Sequence, residues 1–258
     1  MSIIKFVAAG DNHGDKADPE ALAALWEFCK DYLGKDGLRI HLGDCFDLRP
    51  LRKSANLAEQ REHLRPDLDA GISFLRKFSP DVWLWGNHEG RLDDQIESAT
   101  DPNWADHLQG IKDELRREAR RAGCSKILPY HAELGVYEIA NRIACVHGYA
   151  HGKDAVAQQG AHFAQRGGGF ICGHIHRLEM VSLQKWQGGA AYSAGCLCDK
   201  SLQSYASKRL GTARWGTGWA AGYVDTSNGD WKINLIHKIG KSGKWVWHTG
   251  IKVHSPIG

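Results

Sequence analysis

Five times along this chain a short apolar run stops abruptly at a cluster of aspartate, asparagine and histidine. The clusters are Asp11-Asn12-His13, Gly43-Asp44-Cys45-Phe46-Asp47, Gly86-Asn87-His88-Glu89, His147-Gly148 and Gly173-His174-Ile175-His176. Short apolar runs bounded by turn residues read as buried strands. In open α/β sheets, ligands bind in the crevice outside the carboxyl ends of the strands. A chain punctuated in this way is therefore expected to set five strand ends around one rim, with glycines letting the backbone turn sharply there.

The runs that precede the clusters are Ile3–Ala9, Leu38–Leu42, Val82–Trp85, Ile139–Val146 and Gly169–Cys172. Between the first two, Asp18 can cap a helix whose first turn holds Pro19, with Leu22, Leu25, Trp26, Cys29 and Leu33 on one face. A second helix is expected over Leu57–Phe78, and the charged stretch Arg91–Gly123 reads as helical. Beyond Met180 the pattern changes to strands joined by tight turns. Ala220–Asp225 and Trp231–His237 flank Ser227-Asn228-Gly229, a hairpin signal, and Lys244–His248 is a further strand candidate. The expected fold class is α/β with α+β-like layers: two mixed β-sheets packed as a sandwich and flanked by helices. The expected organisation is a single domain over 1–258, with a helical insertion at 91–130 and mainly strands and a loop at 181–258.

Composition agrees with a globular chain of 258 residues, 42% hydrophobic and 24% charged. A formal charge of +3 is too small to imply nucleic-acid binding by itself. Seven cysteines, an odd count without framework spacing, read as reduced thiols in a cytoplasmic protein. Cys196 and Cys198 stand too close for a normal metal knuckle. MSIIKFVAAGD reads as a first strand rather than a signal peptide, and no run approaches the ~20 apolar residues that span a bilayer, so no membrane partner is expected.

Carboxylate, amide and imidazole groups together suit manganese, iron or zinc better than calcium. Asp11, His13, Asp44, Asn87, His147, His174 and His176 make seven candidate ligands, too many for one tetrahedral ion and right for two ions sharing a carboxylate. Two such ions can clamp a phosphate between them.

In this order, D-x-H, GD-x-x-D, GNH-E, a later H and GH-x-H, the clusters resemble the signature of the calcineurin-like metallophosphoesterase superfamily. The resemblance runs from Asp11 to His176 and implies the metallophosphoesterase fold, with the terminal strands in its second sheet. It implies that Asp11, His13 and His176 hold one metal, that Asn87, His147 and His174 hold the other, and that Asp44 bridges. It further implies two divalent ions, manganese foremost with iron, zinc or nickel as alternatives, and hydrolysis of a phosphate mono- or diester by a hydroxide held between them. His88 would then be the non-ligand catalytic histidine, oriented by Asp47.

The sequence departs from the protein-phosphatase branch after Asp47, where Leu48-Arg49-Pro50 replaces an immediate Arg-Gly. Arg49 is displaced by one position, which leaves Arg91 as the candidate substrate contact. His151 is a further rim candidate. The basic run Lys112, Arg116, Arg117, Arg120 and Arg121 is interleaved with Asp113, Glu114 and Glu118 and reads as a solvated helix face. Lys200–Trp219 mixes Lys208, Arg209 and Arg214 with Tyr205, Trp215 and Trp219. It reads equally as a structural loop or as a nucleic-acid contact. Trp83, Trp85, Trp245 and Trp247 read as packing, and Cys45 as filler. The alternative function is a nuclease or phosphodiesterase using the same site. A metal-free binding scaffold is disfavoured because every motif residue is retained. Substrate identity and oligomeric state are not encoded in these motifs.

Overall fold

The computed structural model describes residues 3–34, 36–203, 210–239 and 244–245. Its strands form two mixed sheets. The first contains β1 (Ile3–Ala9), β2 (Leu38–His41), β3 (Val82–Leu84), β4 (Lys126–Leu128), β10 (Gly218–Asp225), β11 (Trp231–Ile239) and β12 (Lys244–Trp245), in the order β12-β11-β10-β1-β2-β3-β4. The second contains β5 (Tyr137–Ile139), β6 (Ile143–Val146), β7 (Gly169–Cys172), β8 (Leu178–Ser182) and β9 (Ala190–Ala194), in the order β5-β6-β7-β9-β8. Strands β1 to β4 run parallel, as do β6, β7 and β9, and the antiparallel strands lie toward the edges.

Alternation along the strands decides which layer each side chain enters. Phe6 and Ala8 of β1 join Ile40, Leu84, Ile143, Ile171 and Tyr192 between the sheets. Val7 and Ala9 point the other way, into a core shared with α1 (Pro19–Tyr32), α3 (Arg65–Phe78), α4 (Asn87–Ser98) and α5 (Pro102–Arg121). The outer face of the second sheet packs Val146, Phe170 and Ala191 against Val156 of α6 (Ala155–Phe163). The result is an α/β sandwich of two mixed sheets with helices on both outer faces.

Asp18 caps α1 as expected, accepting from the amides of Glu20 and Ala21. Three expected elements are divided. The helix at Leu57–Phe78 is α2 (Leu57–Gln60) followed by α3, because Pro66 in the first turn of α3 has no amide hydrogen and cannot continue a preceding helix. The charged stretch Arg91–Gly123 divides in the same way at Pro102, and its first helix, α4, starts earlier, at Asn87. The strand at Ile139–Val146 is the hairpin β5–β6, turned by Ala140 and Asn141 at φ of 49° and 53°.

The helical part of 91–130 ends at Arg121, and Lys126–Leu128 returns as β4 at the edge of the first sheet. Of the strand expected at Lys244–His248, Lys244 and Trp245 form β12, and Trp247 with the remainder lies outside the described residues. Trp83 and Trp85 are buried as expected for packing residues. No helix among the described residues is long and apolar enough to cross a membrane.

Candidate metal centre

The carboxyl ends of five parallel strands face one cleft. From the first sheet, β1 leads to Asp11 and His13, β2 to Asp44 and Asp47, and β3 to Asn87 and His88. From the second, β6 leads to His147, and β7 to His174 and His176. Asp11, His13, Asp44, His174 and His176 all have positive φ, between 51° and 68°. Non-glycine residues are held in that region only where surrounding structure over-determines them, and such residues cluster at functional sites. Two glycines are required by close approach. A side chain on Gly43 would meet His147 Nδ1 at 2.5 Å, and one on Gly86 would meet Asp44 Oδ1 at 2.1 Å.

Glu89 fixes the second and third strand ends together. Its buried carboxylate accepts from the amides of Gly86, Asp44, Cys45 and Phe46 at 2.7–3.1 Å. Burial and the nearby Asp44 charge push its pKa up to about 7. Asp67 from α3 does the same for Asp47 and Leu48, accepting both amides at 3.0 and 2.7 Å.

The donors gather in two groups around Asp44. In the inner group, His13 Nε2 lies 3.1 Å from His176 Nε2, which lies 3.2 Å from Asp11 Oδ1. In the outer group, Asn87 Oδ1 lies 3.0 Å from His147 Nε2 and 2.8 Å from His174 Nδ1. Asp44 Oδ2 stands 4.0 Å from His13 Nε2 and 3.4 Å from His147 Nε2, between the groups. The Nδ1 of His147 donates to the Leu42 carbonyl at 2.8 Å, which leaves Nε2 as the atom aimed at the site. The sets Asp11–His13–Asp44 and Asp44–His147–His174 each have donor atoms within 4.8 Å of one another and could hold a metal ion.

The charge distribution fits cations. Burial opposes a charge on His147, yet the Asp44 carboxylate outweighs it and raises the pKa to about 9. Burial likewise opposes the charged forms of His13 and His176, but Asp47 with Asp44, and Asp11, hold their values up. His174, half-buried and beside the His147 ring, is lowered to about 3 by desolvation and by that neighbour. Buried carboxylates thus demand positive charge where imidazole nitrogens converge, and protons supply it when ions do not. The Nδ1 atoms of His13 and His176 are buried with no hydrogen-bond partner.

Asp47 and His88 lie beside these groups. His88 Nδ1 is 3.0 Å from Asp47 Oδ1 and 2.9 Å from the Asp47 carbonyl, and its Nε2 is 3.7 Å from Asp44 Oδ2. Arg49 grips the other Asp47 oxygen at 2.7 Å and also pairs with Asp15 and Glu62. With three carboxylates engaged, Arg49 braces the loop. Arg91 donates to the Asp47 carbonyl at 2.6 Å and also lines the cleft, which encloses ≈ 530 Å³.

His151 is exposed, with Nε2 3.1 Å from His174 Nε2. The basic run of α5 is partly neutralised, Lys112 by Asp93 and Arg121 by Glu118. Within Lys200–Trp219, Arg214 and Trp215 line the cleft while Trp219 is buried; Tyr205, Lys208 and Arg209 lie outside the described residues.

A sixth strand end escaped the sequence reading. Strand β9, parallel to β7, leads into Gly195-Cys196-Leu197-Cys198, and both thiols are buried beside the inner group. The signal was present, since Ala190–Ala194 is also an apolar run ending at glycine, but cysteine between small residues does not stand out as a polar cluster. Cys45 is buried, with its pKa held well up by burial, as befits filler.

No family model and no curated protein matches the chain. Among solved structures, a hypothetical protein from Pyrococcus horikoshii OT3 is similar, at 12% identity and a TM-score of 0.47 over 93% of this chain and 90% of that one.

Proposed function

We propose that this chain is a metal-dependent phosphoesterase of the calcineurin-like superfamily, hydrolysing a phosphate mono- or diester with two divalent ions that Asp44 would serve in common. The observation that carries this reading is the position of Asp44, whose Oδ2 faces one donor group on each side, while His88, 3.7 Å away, is grouped with Asp47 and His13. Asp11, His13 and His176 would hold one ion, and Asn87, His147 and His174 the other. Manganese is the first candidate, with iron, zinc and nickel compatible with the donors. Ions bound there supply Lewis acidity and a water of lowered pKa.

The remaining work falls to the chain's own groups. Asp47 holds His88 Nδ1, which turns Nε2 toward the cleft and supports a proton on that nitrogen as it passes to a leaving oxygen. Arg49 keeps Asp47 in place through its second oxygen. Arg91, anchored on the Asp47 carbonyl at the cleft wall, is placed to meet a phosphate oxygen. A nucleic-acid substrate is the second reading, favoured by Arg214 and the exposed Lys153 on the same wall.

Purified protein loaded with Mn, Fe, Zn or Ni is expected to hydrolyse an aryl phosphate monoester or diester. Including cyclic nucleotides and short DNA in the same screen separates the substrate classes. Absence of metal-dependent hydrolysis of every one of these esters would overturn the proposal.

A further inference from the structure

We infer that Cys198 is a thiolate ligand at the inner metal position, giving that position a preference for thiophilic divalent ions such as zinc over manganese. The inference rests on the reading of the rim as a metal site. His13, His176 and Cys198 each offer a donor atom, all within 4.8 Å of one another, and all three residues are at least 97% buried. Donors of one ion with N and S ligands stand about 3–4 Å apart, and His13 Nε2 and His176 Nε2 are 3.1 Å apart.

The placement is set by the backbone. Leu197 donates its amide to the carbonyls of Gly10 and Asp11, and its own carbonyl accepts from Asp18. The amide of Asp199 donates to Lys16, and Cys198 forms a β-bridge with Ala17. The segment is thus stitched to the loop that carries Asp11 and His13. Leu197 enters the helix-side core, while the Cys198 thiol meets the rim donors of His13 and His176.

The two thiols differ in position. Cys196 contacts the His176 ring, the Gly216 carbonyl and the Cys198 thiol, and it stands outside the donor set that Cys198 forms with His13 and His176. Cys198 completes a donor set with His13 and His176. On coordination the S–H bond breaks, the proton leaves to solvent and the sulfur pair forms the bond to the ion. Soft thiolate donors favour zinc and its relatives, whereas manganese prefers oxygen.

Cobalt(II) serves as a spectroscopic probe, because a thiolate bound to it produces a near-ultraviolet charge-transfer band that imidazole and carboxylate do not. The wild-type protein titrated with Co(II) should show that band, Cys198→Ser should lose it, and Cys196→Ser, equally buried, should retain it. In competition, Cys198→Ser should also lower zinc affinity relative to manganese by more than the ~10–100-fold that loss of an outer-shell partner costs. A wild-type protein without the band overturns the inference. So does a band that survives in Cys198→Ser or vanishes in both variants. Hydrolysis of an aryl phosphate is followed in the same samples. A band without hydrolysis would leave the thiolate site standing and remove the phosphoesterase reading, while hydrolysis without a band would do the reverse.

Discussion

The two halves of the rim are built from similar residues but sit in different surroundings. In the inner half, His13 and His176 are 1% and 3% exposed and are backed by two buried thiols. In the outer half, His174 is only partly buried, and its Nε2 meets the solvent-exposed His151. Electrostatic attraction strengthens as water is excluded. The inner half should therefore hold its ion tightly and exchange it slowly, while the outer half exchanges ions readily and offers the open face to substrate. Asp44 belongs to both.

Breaking the shared element should have the largest effect. Asp44→Asn is expected to bring hydrolysis to background and to weaken binding of both ions, as read by activity and metal analysis. Loss of only one ion, with activity retained, would show that the halves are independent and that Asp44 does not bridge.

His88→Ala should lower kcat by ~10²–10⁴-fold while leaving the metal content of both halves unchanged. Metal loss in that variant would make His88 a ligand and place Asp47 in a different role.

The asymmetry itself is tested by a pair of substitutions. After dialysis, His174→Ala should retain the inner ion and lose the outer one, whereas His176→Ala should lose the inner ion. Loss of the inner ion from His174→Ala as well, or its retention in His176→Ala, would contradict the burial argument.

The smallest effect is on stability. In metal-free protein the His147 pKa is about 9 against an ordinary 6.5, so the folded chain holds this proton more tightly than the unfolded chain does. The stabilisation is complete below pH 6.5 and is lost as pH rises through about 9, a change of up to about 3 kcal/mol for a shift of this size. The Tm of the metal-free protein should fall across that interval. The metal-loaded protein should show a shallower slope, because an ion replaces the proton. Parallel slopes would mean that the outer half binds no ion at His147.

Much of this architecture was legible in the residues. An apolar run followed at once by Asp, Asn or His is local information, and five such junctions announced five parallel strand ends. Pro66 and Pro102 also marked the helix breaks, since a proline cannot continue a preceding turn, although periodicity alone ran across both. The β5–β6 turn was harder to see, because Ala140 carries no turn signature and its left-handed conformation is imposed by the hairpin.

By itself, the sequence determined which groups would stand at the strand ends, because each motif follows its strand within a few residues and needs only that strand to be placed. Only the tertiary structure decided that Asp44 falls between two donor groups, that Arg49 is held by three carboxylates, and that His174 of the outer half is more exposed than His13 and His176 of the inner half. These depend on distances between segments far apart in the chain, such as Asp11 to His176 and Leu42 to His147. The same holds for Cys198, brought to the inner group by hydrogen bonds between residues 10–18 and 197–199 that no local pattern specifies.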